Sequence, residues 1–353
     1  MEIVQNSNQG NLKPLIHSLT GIELAAICAE LNLPKYRASQ IWRWLYVQRL
    51  CSWEAMTNLP AALRTQLAER VSLESAVSLK IQGEPADTRK ILVGLHDGES
   101  VEEVLIPAPS RRTVCISSQV GCRFHCAFCA SGQAGFMRNL EAGEMVGQVI
   151  LAANIFPEPI TNVVFMGIGE PFDNYDEVLK AIRILNDKEG MNIGARRLTI
   201  STSGIVPGIE RLATEGLQVE LSVSLHAPTD ELRSELMPVN RKYPLDELFK
   251  ACKAYFAATK RIVTFEYTLI NGVNDRPEHA RELAGLLRNM PGRVNLIPLS
   301  PVEEFSGQPS SEETCEMFMN IIEKSGINTT LRRSKGSSLQ AACGQLRFAR
   351  KNE

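Results

Sequence analysis

Apolar residues recur at helical spacing through the first part of the chain and switch to short strand-like runs further on. "TGIELAAICAELNL" opens on Thr20 as a helix cap. "KYRASQIWRWLYVQ" carries Ile41, Trp44, Leu45 and Val47, and "NLPAALRTQLAERV" adds a helix after Pro60. Residues 1–85 are expected to form a small helical accessory unit. In "RKILVGLHDGESVEEVLIP" two strand-like runs flank Asp97-Gly98, a hairpin signal that assigns 86–110 to a β-hairpin connector.

From about Thr113 strands and helices alternate. "TVCISSQ", "TNVVFMG", "RRLTIST", "QVELSVSL", "RIVTFEYTLI", "RVNLIPL" and "NTTLRRS" read as strands. Helical runs fall between them, such as "AGEMVGQVILAANIF", with Ala142, Met145, Val146, Val149, Ile150 and Ala153 on one face. About six βα units predict an α/β fold with a parallel sheet, either open and doubly wound or a complete or partial barrel, over 111–336. Residues 337–353 remain as a tail.

Composition narrows the class without naming an activity. With 353 residues, 44% hydrophobic and 22% charged, the chain reads as an ordinary globular protein of one large or two medium domains. No apolar run approaches the roughly 18 residues of a membrane span, and the start lacks a secretory layout, so a cytoplasmic, membrane-free protein is expected. Net charge is −2, but from Leu331 onward six basic residues (Arg332, Arg333, Lys335, Arg347, Arg350, Lys351) face one acid, Glu353. They form a solvated basic tail or a nucleic-acid contact. Tyr36, Trp42, Trp44 and Tyr46, interleaved with Lys35, Arg37 and Arg43, are either core or a base-stacking surface.

Nine cysteines, an odd and unevenly spaced set, argue against a disulfide framework and for metal or catalytic use of any cluster. "GCRFHCAFCASG" places Cys122, Cys126 and Cys129 as C-x3-C-x2-C just after the first strand of the repeat. Three thiolates on one loop can hold three corners of a 4Fe-4S cluster and leave one iron open. A zinc site with His125 and a set of packed core cysteines are the alternatives. Polar residues also end the neighbouring strands: Gly167, Gly169 and Glu170 in "MGIGEP", Ser201, Thr202 and Ser203 in "STSG", and Ser224 and His226 in "SLH". Active sites of βα barrels gather at that end.

The cysteine spacing resembles the radical S-adenosylmethionine (SAM) superfamily, in which the open iron binds SAM and reductive cleavage yields a carbon radical. "VEEVLIP", "CISSQVGCRFHCAFCASG", "NVVFMGIGEP", "RRLTISTSGIVP", "SLHAPTDELR", "VNLIPLSP" and "AACGQL" occur in the order and spacing of the RlmN and Cfr adenosine methyltransferases, across nearly the whole chain. Pro171 is like the RlmN branch. The resemblance implies a partial (β/α) barrel of the radical SAM type. It also implies that Cys122, Cys126 and Cys129 bind the 4Fe-4S cluster and that two SAM molecules are used per turnover, one as methyl donor and one as radical source.

It further implies that Cys343 accepts the methyl group, that Cys115 resolves a protein–RNA adduct through a transient disulfide, and that Glu102 takes the proton from the adenine carbon. The SAM contacts carried over are Gly169, Glu170, Ser201, Ser224, Leu225, His226 and Ser300. Two positions depart from the family pattern: Ser300 stands where Asn is usual, and Ser338-Leu339 where an acidic-aliphatic pair precedes AACGQL. The implied partners are 23S rRNA at the peptidyl-transferase region, tRNA at the adenosine 3′ of the anticodon, and a flavodoxin-type or other low-potential electron donor. Methylation at carbon 8 is the alternative in the same class, and an iron-sulfur redox or sensing protein the alternative in another. Cys28, Cys252 and Cys315 are expected to be small buried apolar groups.

Overall fold

The computed structural model describes residues 13–156, 158–332 and 339–348. Arg333, Lys335, Ser338, Arg350, Lys351 and Glu353, named above, lie outside them.

Three helices come first: α1 (Gly21–Glu30), α2 (Tyr36–Tyr46) and α3 (Ala61–Arg70). Thr20 and Glu23 close a reciprocal capping box on α1. The aromatic group divides. Trp42 and Tyr46 are buried, Trp44 Nε1 donates to Asn58 Oδ1 at 2.5 Å, and Tyr36 is exposed.

The segment read as helical also contains a strand, β1 (Val77–Gln82). Then follow β2 (Arg89–Gly94), β3 (Ser100–Ala108) and β4 (Arg111–Ile116), paired antiparallel in sequence. The hairpin pairs through β4 with the main sheet. A short pair, β5 (Gln119–Gly121) and β6 (Phe136–Asn139), pinches off the loop that holds the three clustered cysteines and the one-turn α4 (Ala130–Gln133).

The alternation then proceeds: α5 (Ala142–Ile155), β7 (Asn162–Phe165), α6 (Tyr175–Asn186), β8 (Leu198–Thr202), α7 (Val206–Leu212), β9 (Glu220–Ser224), α8 (Asp230–Leu236), α9 (Leu245–Thr259), β10 (Val263–Leu269), α10 (Pro277–Leu287), β11 (Gly292–Pro298), α11 (Glu312–Lys324) and β12 (Thr329–Leu331). β4, β7, β8, β9, β10, β11 and β12 pair parallel in that order. Among the described residues β1 and β12 do not pair, so the sheet is a partial barrel. Its curvature shows in one cavity lined by Thr113, Asn162, Thr199, Glu220, Thr264 and Arg293, one residue from each of six strands.

α5 departs from the one-faced helix its spacing suggests. Even Glu144 and Gln148 are fully buried, because Glu144 pairs with Arg138 and His96 and Gln148 exchanges hydrogen bonds with the Ser117 backbone, while the N-terminal segment covers another side. Gly143 N–H donates to Ser18 Oγ at 2.9 Å, and Arg49 to the Ala153 carbonyl at 3.0 Å. Cys28, Cys252 and Cys315 are buried as expected. Among the described residues no helix is long and apolar enough to cross a membrane.

Candidate active site

The cysteine loop begins where β5 ends and is tied at both ends. Cys122 N–H donates to the Gly135 carbonyl at 2.8 Å, and Ala127 N–H to the Leu236 carbonyl at 2.9 Å. Cys122, Cys126 and Cys129 are half-buried and line one cavity of about 160 Å³. Burial pushes all three thiols up, Cys122 to about 12, so their thiolate forms need a compensating positive charge. Among the described residues no three His, Cys, Asp or Glu side chains converge on a single-ion site. Thiols spread around a shared cavity suit a cluster that takes each thiolate at a different iron.

The opposite wall of this cavity is the rim of the barrel. Gly169, Glu170, Ser201, Ser224, His226 and Ser300 all line it, together with Cys343. Gly169 has φ +106°, and a Cβ there would lie 2.7 Å from the Gln119 Cβ, so the turn requires glycine. Glu170 is buried and held by N–H groups of Ser203 (2.6 Å) and Phe172 (3.0 Å). Burial raises its pKa, and these two donors oppose the rise.

His226 accepts the Thr268 N–H at Nδ1 (2.9 Å), so the neutral ring carries its proton on Nε2. Burial, then the nearby Arg233, lowers its pKa to about 3. It stays neutral at physiological pH.

Leu225 lines neither this cavity nor the next and is fully buried. Its role is in its backbone: the N–H donates to the Glu266 carbonyl at 2.9 Å, and the carbonyl accepts from Arg233 Nε at 3.1 Å. Sequence reading overlooked Arg233. It is wholly buried and also donates to the Ser203 and Ser224 carbonyls (2.6 and 3.0 Å) and Asn240 Oδ1 (2.8 Å), tying two strand ends together. Thr229 caps α8 and sets this arginine one turn in, the one signal that would have found it.

The described tail, residues 339–348, lies over the rim. Ala130 N–H donates to the Gly344 carbonyl (2.8 Å), Ser131 Oγ to the Leu346 carbonyl (2.6 Å), and Gln345 Nε2 to the Pro301 carbonyl (2.9 Å). Cys343 is exposed and lines two cavities, the one above and a deeper chamber of about 440 Å³ whose wall includes Cys115. Cys115 is buried on β4, and burial pushes its thiol up to about 12, with the charge of Cys343 adding to the rise. Arg332 and Glu266 line both cavities. The negative forms of Cys343, Glu266 and Cys115 raise the Arg332 pKa, so one guanidinium faces both thiols.

Glu102 lines neither cavity. Its carboxylate pairs with Lys90 Nζ at 2.8 Å and accepts the backbone N–H of Arg347 at 2.8 Å, while Lys90 also reaches the Gln340 carbonyl at 3.4 Å. Arg347 forms a second ion pair, with Glu304. Glu102 as seen here fastens the tail.

Residues 116–284 match the Radical SAM superfamily, and residues 16–73 match the ribosomal RNA large subunit methyltransferase N-terminal domain. The chain is 49% identical over 332 residues to a probable dual-specificity RNA methyltransferase RlmN of Symbiobacterium thermophilum, covering 92% of this chain and 89% of the relative. A protein of the same name from Geobacillus thermodenitrificans is 45% identical over 99% of this chain and 97% of its own length. This chain belongs to the RlmN family.

The crystal structure of a radical SAM methyltransferase from Sphaerobacter thermophilus agrees with a TM-score of 0.92 at 48% identity, covering 95% of this chain and 99% of that one. As an RlmN-family member the chain is a radical SAM RNA methyltransferase that uses a 4Fe-4S cluster and SAM and acts on RNA. The redox or sensing alternative gives way to the enzyme.

Proposed function

We propose that this enzyme methylates carbon 2 of adenosine, with Cys343 as the carrier of the one-carbon unit and Cys115 as the thiol that releases the product. The observation that supports it most is the place of Cys343 on the wall shared by the cysteine-loop cavity and the chamber of Cys115.

Carbon 2 of adenine is neither acidic nor nucleophilic, so polar methyl transfer finds no electron pair there. Bound at Cys122, Cys126 and Cys129, the cluster supplies an electron to SAM and so the radical chemistry this carbon needs. Gly169, Glu170, Ser201, Ser224, His226 and Ser300 hold SAM, and Leu225 shapes that rim through its backbone. Ser300 offers one hydroxyl where an amide is usual.

Cys343 tethers the one-carbon unit beside its target, which replaces a bimolecular encounter with an intramolecular one. Glu102 takes the carbon-2 proton, and the one electron left on the adduct would pass to the oxidised cluster held at Cys122, Cys126 and Cys129. The Glu102 oxygens are committed to Lys90 and Arg347 N–H, so the tail must shift before one is free. The Cys115 thiolate then attacks Cys343 Sγ; the sulfur–sulfur bond forms, the sulfur–carbon bond breaks, and its electron pair and a proton complete the methyl group. Arg332 steadies both thiolates.

The substrates in this reading are 23S rRNA at the peptidyl-transferase region and tRNA at the adenosine 3′ of the anticodon. Two SAM molecules serve each turnover, and a flavodoxin-type or other low-potential donor feeds the cluster. Residues 1–85 act as the RNA-binding accessory unit, offering exposed Tyr36 beside Arg37 rather than a full aromatic surface. Residues 337–353 act as the catalytic tail.

Cys115→Ala tests the scheme: it should accumulate a covalent protein–RNA adduct through Cys343. Undiminished methylation without an adduct would overturn it. Mass spectrometry of nucleosides from the wild-type product decides carbon 2 against carbon 8.

A further inference from the structure

The interior of a βα barrel is ordinarily filled by layers of branched side chains. Here the N-terminal half of the interior keeps an open chamber of about 440 Å³, in which polar residues such as Thr113, Asn162, Ser222 and Asn295 share the wall with Val104, Ile106, Val164 and Met166. Its mouth is formed where the parallel strands begin, at Arg111, Thr199, Glu220 and Arg293, the end opposite the cysteine loop. Its floor holds Cys115 and Cys343. Cys115 lies four steps along β4 from Arg111, a depth of about 13 Å at strand rise. No folded protein can follow that path, but a molecule of a few heavy atoms can.

The mouth is cationic. Glu220 is its acidic residue and is already paired with Arg261 and, at 3.6 Å, with Arg293. Arg196 lies close enough to Arg261 to oppose its charge, and Arg111 is exposed on the β4 side.

We propose that this chamber is the binding site and entry path of a small anionic thiol that reduces the Cys115–Cys343 disulfide, reaching it from the barrel end opposite RNA and SAM. The inference rests on the carrier and resolving roles given above. Each turnover leaves that disulfide, and the next requires two thiols. An incoming thiolate attacks Cys343 Sγ, the exposed sulfur, forming a mixed disulfide and expelling Cys115 as a thiolate beside Arg332, where it takes up a proton. A second thiol attacks the mixed disulfide and frees Cys343, so two small thiols become one small disulfide and the protein regains both thiols.

The test begins with cluster-loaded enzyme oxidised anaerobically by limiting diamide, then reduced with 2-mercaptoethanesulfonate, 2-mercaptoethanol or cysteamine. Each rate is divided by that thiol's rate with a small free disulfide. The expected order is anionic, neutral, cationic, spanning about tenfold at low salt and collapsing at high salt. Arg111→Glu should reverse the order, and Ala108→Trp at the mouth should slow all three thiols about tenfold.

Single-turnover methylation by pre-reduced Ala108→Trp should be unchanged. If that variant blocks single-turnover methylation, the mouth admits RNA and the inference is wrong. Equal normalised rates, untouched by either substitution, also overturn it while leaving the two cysteine roles intact. If no Cys115–Cys343 disulfide forms, those roles fall and the inference with them.

Discussion

The barrel rim and the tail laid across it both supply site residues, yet they are held by different bonds. Each rim residue continues a strand whose neighbours fix it by ladder hydrogen bonds, and Arg233 then locks three carbonyls from inside. The tail contributes no strand. It hangs on a few polar contacts to the cysteine loop, Pro301, Glu102 and Glu304 and on the burial of Ala341, Ala342 and Leu346. A cluster and SAM want a preformed cradle, whereas a carrier that must load, react and be released wants a support it can leave.

The largest expected contrast follows from substituting one cysteine in each region. Cys126→Ala should lose the iron–sulfur absorption and with it all methylation. Cys343→Ala should keep the absorption and SAM cleavage while RNA methylation falls by roughly 10⁴-fold or more. Loss of the cluster in Cys343→Ala would show that tail and cradle are one unit and would end the comparison.

The next contrast is in stability. Arg233→Met leaves three carbonyls and Asn240 Oδ1 without their donor and should cost about 3–5 kcal/mol in urea unfolding. Glu304→Gln removes the partly exposed ion pair that Arg347 of the tail makes and should cost about 1 kcal/mol or less globally, yet speed maleimide labelling of Cys343. Equal global losses in the two variants would mean that the tail is as integral as the rim.

Legibility in the sequence divides along the same line. The parallel strands show as short β-branched runs because both faces are buried, as in the wholly buried β10. β1 is an edge strand with four consecutive exposed residues, so no buried face marks it. α8, "DELRSEL", escapes because one buried arginine anchors it in place of an apolar stripe. Cysteine spacing exposes the loop. By contrast, the link from Lys90 and Glu102 to Gln340 and Arg347 joins residues about 250 positions apart, which local pattern cannot reveal. Glu266 hides in a strand, where nothing but the fold shows that it faces two cavities.

Acid should act on the two regions in different windows. His226, with a pKa near 3 when folded, stays neutral while the unfolded residue takes a proton below about 6.5. Its contribution is thus present above that pH and lost progressively below it, by about 1.4 kcal/mol at pH 5.5. On the tail, Arg347 lowers the Glu304 pKa, so that pair persists until pH falls below the ordinary carboxylate range. Between pH 7.5 and 5.5 the wild type should lose about 1.4 kcal/mol more than His226→Asn in urea unfolding, while at each pH Cys343 labels at the same rate in the two proteins. Buried Glu103, Glu170 and Glu266, whose raised pKa values work in the opposite sense, cancel in the difference. Identical losses in the two proteins would show that His226 is not the acid-sensitive group of the rim.

The smallest effect is the most local. Gly344, next to Cys343, sits at φ +82°, where an L side chain is strained, and a Cβ would approach the Phe128 carbonyl oxygen at 3.1 Å. Gly344→Ala should weaken tail docking by about 1 kcal/mol, which raises the undocked fraction about fivefold. Cys343 labelling should rise by that factor while the melting temperature of the barrel stays within about a degree. The two readouts must separate, since the rim's ladder does not pass through the tail. If the melting temperature instead drops along with the gain in labelling, the tail shares the barrel's cooperative unit, and release of the carrier would require loosening the cradle itself.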